Sequence, residues 1–482
     1  MKKRAKREAT YKQMAYETAI RNPERYKGIL KAVHPFVGKN LDNNTLLEIV
    51  TSLYLSNIVG SEGIVIDENS TIDNLSAKVI QVNSTRNSDG GFPKGYAARF
   101  WTYMRTLSEL GFVYAQYNEV FLFSKIAEML IKDEIDEQEA FSLQAMKYNR
   151  KSPYRNVSND FNFFEFIILT LQKRQRISYE QLIVATFSED GDVGEFIQIL
   201  ENQIFTDENS VYNFVKETYG TTNKPQTVLR DYPDVVLRLL LITGFVSIQF
   251  KGKLLIFPNA NKIDYMNDLL AIPIELTEEE KQTANLHFRK LETFNDKLLQ
   301  VVCKHRQTNV NLDKFDYTQK VTEIIKLYEL KEENLVEGIN FIGSSRNIIP
   351  AFKYIAEPLK LEFYISLLLV FKYGNSLGIN PNYKADHFGM PISHAAGNKG
   401  DIEVYAKDFY WLIEVTLIRN KAQQLNNETT SVIRHFIESK DNFLLKFLSF
   451  VAPIIHADTK NYYDYSIVQQ RTDKKNIYRS EE

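Results

Sequence analysis

The sequence predicts a multidomain α+β protein: two N-terminal helix-then-hairpin units, a helical connector, and a C-terminal α/β unit on a mixed central sheet. Three observations predict it. At 482 residues and 56.0 kDa the chain exceeds one ordinary core. Helical periodicity gives way to strand-like runs at Gly111 and again at Gly244. Beyond residue 346, apolar segments follow in the order helix–strand–strand–helix–strand. These signals divide the chain at 1–135, 136–272, 273–345 and 346–482.

Composition bounds the rest. Hydrophobic residues at 44% and charged residues at 25% are ordinary for a folded protein, and the formal net charge of -2 names no partner. One cysteine, Cys303, excludes internal disulfides and a four-thiolate zinc site, as expected of a reducing prokaryotic cytoplasm; it reads as a small core residue. The apolar runs ISLLLVFKYG and VVLRLLLITGFV are too short for a membrane span, and none is expected. Lys2, Lys3, Arg4, Lys6, Arg7, Lys12, Arg21, Arg25, Lys27 and Lys31 face only Glu8, Glu17 and Glu24, either a phosphate-contacting or a solvated basic arm. No apolar segment follows them, so no secretory signal is expected.

In YAARFWTYMRTLSELGFVYAQYNEVFLFS, Phe100, Tyr103, Met104, Leu107 and Leu110 keep helical spacing and Gly111 stops the helix. FVYAQ and EVFLFS then read as strands joined at Tyr117-Asn118. In DYPDVVLRLLLITGFVSIQFKGKLLIFPN a helix from about Pro233 ends at Gly244, and VSIQF and LLIF flank Lys251-Gly252-Lys253. A helix closing on glycine before a hairpin is the last part of a winged-helix module, in which one helix can enter the major groove of DNA. Winged helices also mediate protein contacts. The stretch STRNSDGGFPKGYAARF and the helix it opens offer Arg86, Lys94, Arg99 and Arg105 as DNA-binding donors, and Gly90-Gly91 lets backbone approach a ligand; each arginine taken singly reads better as a surface charge. IKDEIDEQEAF and the stretch from Pro273 to Val302 read as acidic linker helices, the second opening on Thr277 and three glutamates.

The C-terminal unit opens with PLKLEFYISLLLVFKYG, a helix carrying Glu362 and ended by Gly374. After a polar segment come DIEVYA, a turn at Lys407-Asp408, FYWLIEVTLI, a helix containing NNETTSVIRHFIE, and a last strand in LKFLSFVAPIIHADT. That order is the core of the PD-(D/E)xK nuclease fold, whose hairpin sets an Asp beside an acid of the neighbouring strand. Asp401 and Glu414 occupy those places, and the carbonyl of Val415 can complete a ligand set for Mg²⁺, which takes hard oxygen donors. The usual pattern has lysine two positions after the second acid. Here that position is Thr416, so Glu428 is a candidate for orienting water or holding a second metal, with Lys399 and Arg419 nearby in sequence.

With those residues in view, the chain resembles the AlwI-type type IIS restriction and nicking endonucleases. RNPERYKGIL, FVGKNLD, SDGGFP with its ARF helix, and HAAGNKGDIEVY–LIEVTL–QQLNNETTSVIRHF carry the resemblance. It implies winged-helix-like recognition subdomains, a helical linker and a C-terminal PD-(D/E)xK cleavage domain. It maps the catalytic acids onto Glu362, Asp401, Glu414 and Glu428, and the EVT replacing ExK is itself a family feature. The implied activity is Mg²⁺-dependent cleavage of double-stranded DNA a few base pairs to one side of a short asymmetric site. A monomer would nick; cutting both strands would need self-association or a small second nuclease subunit. The rival reading is a non-catalytic winged-helix DNA-binding protein with a degenerate nuclease domain. Among neighbours, His394, His435 and His456 read as structural, with leaving-group protonation the alternative; Gln424 and Arg434 either orient Glu428 or contact phosphate; Trp411 and Tyr410 read as core; and Glu403 is either a supporting ligand or a surface acid.

Overall fold

Helices dominate the computed structural model, which describes residues 11–66, 70–308, 314–344, 346–374, 376–394, 399–438 and 445–479. Lys2 to Arg7 of the basic arm and Ala395 to Asn398 of HAAGNKG lie outside the described residues. The chain forms two compact units, 1–308 and 309–482.

The first unit opens with α1 (Arg25–Val33), α2 (Asn43–Leu55), α3 (Ile72–Asn83) and α4 (Tyr96–Glu109), then β1 (Val113–Tyr114) and β2 (Leu122–Phe123). Asp42 caps α2 by accepting from the Thr45 N–H, and Thr71 and Asn74 form a capping box on α3. The helix stop expected at Gly111 is present, with φ +76°. The following ladder pairs only two residues per strand, Val113 with Phe123 and Tyr114 with Leu122. Much of the expected strand EVFLFS bonds instead to the segment before α2: Leu41 N–H donates to Glu119 O at 2.9 Å and Phe121 N–H to Lys39 O at 2.9 Å.

α5 (Lys125–Ile131) and α6 (Glu137–Lys147) follow. The acidic stretch read as a linker behaves otherwise, because every residue of α6 is buried. Its polar side chains tolerate this because they are paired. Lys27 lies 3.3 Å from Glu137, Arg306 binds Glu139, Ser142 meets Tyr265 at 2.7 Å and Lys147 donates to Asn295 at 2.6 Å. Gln144 donates to Gly111 O at 2.9 Å, and a Cβ on Gly244 would fall 2.3 Å from Gln138 Nε2. One buried helix therefore rests against both helix-ending glycines.

The remainder of this unit contains α7 (Phe163–Arg174), β3 (Ile177–Ser178), α8 (Tyr179–Ala185), α9 (Val193–Asn202), α10 (Glu208–Tyr219), α11 (Tyr232–Ile242), β4 (Val246–Lys251) and β5 (Lys253–Pro258). The hairpin turns at Gly252 as expected, and β3 joins it to give the order β3-β5-β4, all antiparallel. α12 (Ile263–Leu270), α13 (Glu278–Gln282), α14 (Ala284–Glu292) and α15 (Asn295–Thr308) complete it. The predicted Thr277 start is realised as a capping box with Glu280. Cys303, expected in a core, is exposed on α15.

The second unit has α16 (Lys314–Leu327), α17 (Glu332–Asn340), α18 (Glu357–Tyr373), β6 (Gly378–Pro381), β7 (Lys384–Ala385), β8 (Pro391–Ser393), β9 (Ile402–Tyr405) and β10 (Phe409–Val415). After β10, α19 (Lys421–Gln423) passes through a π-turn, Gln424–Glu428, into α20 (Thr429–Glu438); β11 (Leu445–Val451) and α21 (Ala457–Arg479) close the chain. The main sheet runs β11-β10-β9-β6. β10 pairs antiparallel with β9 but parallel with β11, since the helical segment between β10 and β11 returns the chain to the same end. Leu412, Ile413, Ile402 and Val404 are buried by the helices around this sheet. Among the described residues no helix is long and apolar enough to cross a membrane.

Candidate active site

The hairpin places Asp401 and Glu414 together. Ile402 pairs with Ile413, so the next positions, Asp401 and Glu414, face one another at the strand ends. Asp401 Oδ2 accepts from the Val415 N–H at 2.7 Å, which fixes the carboxyl against the neighbouring strand. Glu414 is 5% exposed. Gly400 makes the approach possible: a Cβ there would stand 2.3 Å from Leu412 Cδ1 and 2.7 Å from Glu414 Oε1. Asn382 secures the same turn, donating through Nδ2 to Gly400 O at 2.6 Å and through its N–H to Asp401 O at 2.8 Å.

Glu362 reaches the cluster from α18, where it is 3% exposed. Its Oε1 lies 2.7 Å from His394 Nδ1, while its Oε2 is buried and has no hydrogen-bond partner among the described residues. Burial pushes the Asp401 carboxyl well above the usual range, and the charges of Glu362 and Glu414 push it further. Burial, then Glu428 and Glu362, push Glu414 up to about 8. Acids that raise one another in this way are short of positive charge.

Glu428 ends the π-turn, an irregularity that aims a helical side chain away from the regular face. Its Oε1 accepts from Thr416 Oγ1 at 3.1 Å, and burial raises its pKa. The threonine in the usual lysine position thus fastens Glu428 to the end of β10. His435, one turn and a half along α20, has Nδ1 3.0 Å from Glu414 Oε1 and a buried Nε2 with no partner among the described residues. His394 and His435 therefore each pair with a carboxylate, which their sequence positions alone did not indicate. His456 bonds Arg419 O through Nε2 instead. Gln424 is fully buried and staples backbone, donating to Ile454 O at 2.9 Å and accepting from His456 N–H at 3.2 Å. Glu403 accepts from Tyr410 Oη at 3.0 Å, while Lys399 and Arg419 are exposed. Tyr463 of α21 escaped the sequence reading. It packs on Phe450, the register partner of Glu414, and burial with the charges of Glu428 and Glu414 drives its hydroxyl upward. Among the described residues no three acidic, histidine or cysteine side chains close around a single point.

The N-terminal candidates divide. Arg105 is committed to Glu109 at 3.2 Å and Asp89 at 3.5 Å. Arg86 Nη1 donates to Thr102 Oγ1 at 2.9 Å, Arg99 lies over the Tyr103 ring at 4.7 Å, and Lys94 is exposed. Gly90 packs so tightly that a Cβ would meet Trp101 Nε1 at 2.2 Å, whereas Gly91 faces open space.

Buried carboxylates set opposite one another at the end of a strand hairpin are equipment that hydrolytic enzymes use. The chain belongs to the AlwI restriction endonuclease family, whose sequence pattern matches residues 108–347 and 343–479. No curated protein matches it. Among solved structures, the small subunit (R.BspD6I2) of the heterodimeric restriction endonuclease R.BspD6I is 25% identical, over 27% of this chain and 64% of that one, with a TM-score of 0.22. This chain therefore spans less than two thirds of that subunit. The BpuJ1 endonuclease binding domain, crystallised with pyrene- and phenanthrene-modified DNA, is 12% identical over 57% of this chain and 90% of that one, with a TM-score of 0.31.

Proposed function

We propose that the chain is a type IIS DNA endonuclease: it recognises a short asymmetric duplex site and hydrolyses phosphodiester bonds a few base pairs to one side. The observation that carries this is the register that sets Asp401 and Glu414 opposite one another where β9 and β10 meet, with Asp401 Oδ2 held by the Val415 N–H at 2.7 Å and Glu414 and Glu362 both buried. On this reading 346–482 is a PD-(D/E)xK cleavage domain, 273–345 a helical linker, and 1–135 and 136–272 winged-helix-like recognition subdomains. The latter is supported by a recurring order, helix, extended segment, helix and later a long buried helix running into a hairpin, once through α4 and once through α11. Arg86, Lys94 and Arg99 are the DNA donors of the first subdomain, while Arg105 is committed to Glu109 and Asp89.

The pocket suits Mg²⁺. Its donors are all hard oxygens, Glu362 Oε2 is an orphaned buried acceptor, and Gly400 keeps the space beside Glu414 free of a side chain. Asp401, Glu414 and the Val415 carbonyl would hold the ion, with Glu362 and Glu428 at hand for a second. When bound, Mg²⁺ supplies charge stabilisation to the phosphodiester and an acidified water. The protein groups do the rest: the Val415 N–H orients Asp401, His435 orients Glu414, and Thr416 holds Glu428 where a carboxylate can align the attacking water.

The described residues hold one such acidic cluster, so on this reading a monomer nicks, and double-strand cutting requires a second copy or a small nuclease subunit. Supercoiled plasmid incubated with the intact chain and Mg²⁺ tests the reading. Open-circular or linear product with discrete ends offset from one common sequence is expected. No product across several plasmids and divalent metals would leave only a non-catalytic DNA-binding protein, and random ends would exclude site specificity.

A further inference from the structure

Elsewhere in the first unit, several charged side chains are matched. Arg21 meets Asp231 at 2.8 Å, Lys27 meets Asp133 at 2.7 Å, and Glu109 is gripped from two sides by Arg105 and Arg155. The surface at the start of α4 is different. Among the described residues, Arg86, Lys94 and Arg99 have no carboxylate within ion-pair distance. Arg86 is held by the Thr102 hydroxyl and Arg99 by the face of Tyr103, and the buried Nε of Arg99 has no partner among the described residues. Thr102 and Tyr103 lie three and four positions beyond Arg99 on α4, so both arginines are anchored to one side of that helix. They stand close enough that the charge of Arg99, after burial, lowers the pKa of Arg86.

The backbone adds to the imbalance. α4 starts at Gly95, whose φ is +90° and which offers no side-chain cap, while its own N–H is spent on Arg86 O at 3.0 Å. The first turn of this 14-residue helix therefore carries no side-chain cap, and the two guanidiniums are anchored one turn further along, at Thr102 and Tyr103. Like charges held together without an ion pair cost stability, only partly relieved here by the charge of Glu17 on Arg86, and a dianionic or monoanionic oxygen ligand offsets that cost.

We propose that Arg86 and Arg99 form a clamp for a backbone phosphate of duplex DNA at the N-terminus of α4, with Lys94 at its rim. Arg105 lies outside it as a structural residue. This rests on the DNA-endonuclease reading above. Both guanidiniums are anchored close to the helix, which suits a positioning contact to phosphate more than an extended reach to base edges. Such a contact is insensitive to sequence and strongly sensitive to salt.

The test uses the full chain and a fluorescent random-sequence duplex, titrated over a range of salt without divalent metal. Arg86→Gln and Arg99→Gln should each weaken binding about tenfold on any sequence and flatten the log–log salt dependence by about 0.9. Arg99→Lys should restore most of the slope, which separates lost charge from misfolding, and Arg105→Gln should leave the slope as in the parent. Unchanged slopes in both clamp variants, or a slope change only in Arg105→Gln, would overturn the clamp. Inorganic phosphate at fixed ionic strength forms a separate arm. If it raises the melting temperature of the parent but not of Arg86→Gln, while duplex affinity is equal in the two, the site serves a free anion and the assignment to DNA fails. A parent chain that binds no duplex at all would instead sink the endonuclease reading.

Discussion

At the scale of single residues, the candidate site is defined by side chains that crowd one another. Asp401→Asn and Glu414→Gln should each lower plasmid nicking by about three orders of magnitude or more, because each removes an anionic ligand from an open pair. A gel assay of supercoiled substrate reads this, and nicking retained within tenfold would displace the assignment. The pocket also sets a pH dependence. Glu414 has a folded pKa raised from 4.5 to about 8, so its ionisation is disfavoured in the folded chain. The penalty is absent at pH below the unfolded value, grows as pH rises past about 4.5 and is complete above about 8. Ion-free protein should therefore lose stability across that window more steeply than Glu414→Gln, and Mg²⁺ should recover part of the loss. Melting curves in EDTA and in Mg²⁺ measure both; a parallel pH profile for the two proteins would contradict the crowding. Gly400→Ala tests the same pocket by volume. The added methyl would sit 2.3 Å from Leu412 Cδ1, so a destabilisation of about 1–3 kcal/mol and a loss of nicking are expected from denaturant titration and the plasmid assay.

At the scale of elements, the sequence revealed most where periodicity and punctuation coincide. Gly111, Gly244 and Gly252 marked their turns, and the order of apolar segments in the C-terminal unit set Glu414 on a strand beside Asp401. What it hid were partners distant in sequence. α6 reads as a solvated acidic connector because nothing local announces Lys27, Arg306 or Asn295. The π-turn that aims Glu428 and the approach of His394 to Glu362 likewise depend on tertiary packing. Arg105 attracted attention as a free donor, yet it belongs to a triad around Glu109, which is wholly buried. Breaking that triad should show its structural role. Arg155→Ala leaves Glu109 buried with one cation in place of two, and urea titration should register a loss of about 3 kcal/mol. A change below about 0.5 kcal/mol would mean that Glu109 finds water or another partner when Arg155 is removed.

At the scale of the whole molecule, the described residues contribute one acidic cluster, and the duplex DNA of the proposed function presents two antiparallel strands. A single pocket cannot address both scissile bonds in one pose, since the strands run in opposite directions past it. Product topology therefore reports assembly. At low protein concentration, the proposed function expects open circles to accumulate before linear DNA, with the first nick appearing at a rate proportional to protein. If a second copy supplies the other active site, the rate of linear formation should rise with about the square of protein concentration. Mixing parent chain with Asp401→Asn should then suppress linear product more than nicked product, because mixed pairs retain one working pocket. If the second nuclease is a separate subunit, linear product stays low at every concentration of this chain alone. Linear DNA formed at first order in protein, with no nicked precursor, would mean that one chain cuts both strands, and the one-pocket account would have to be abandoned.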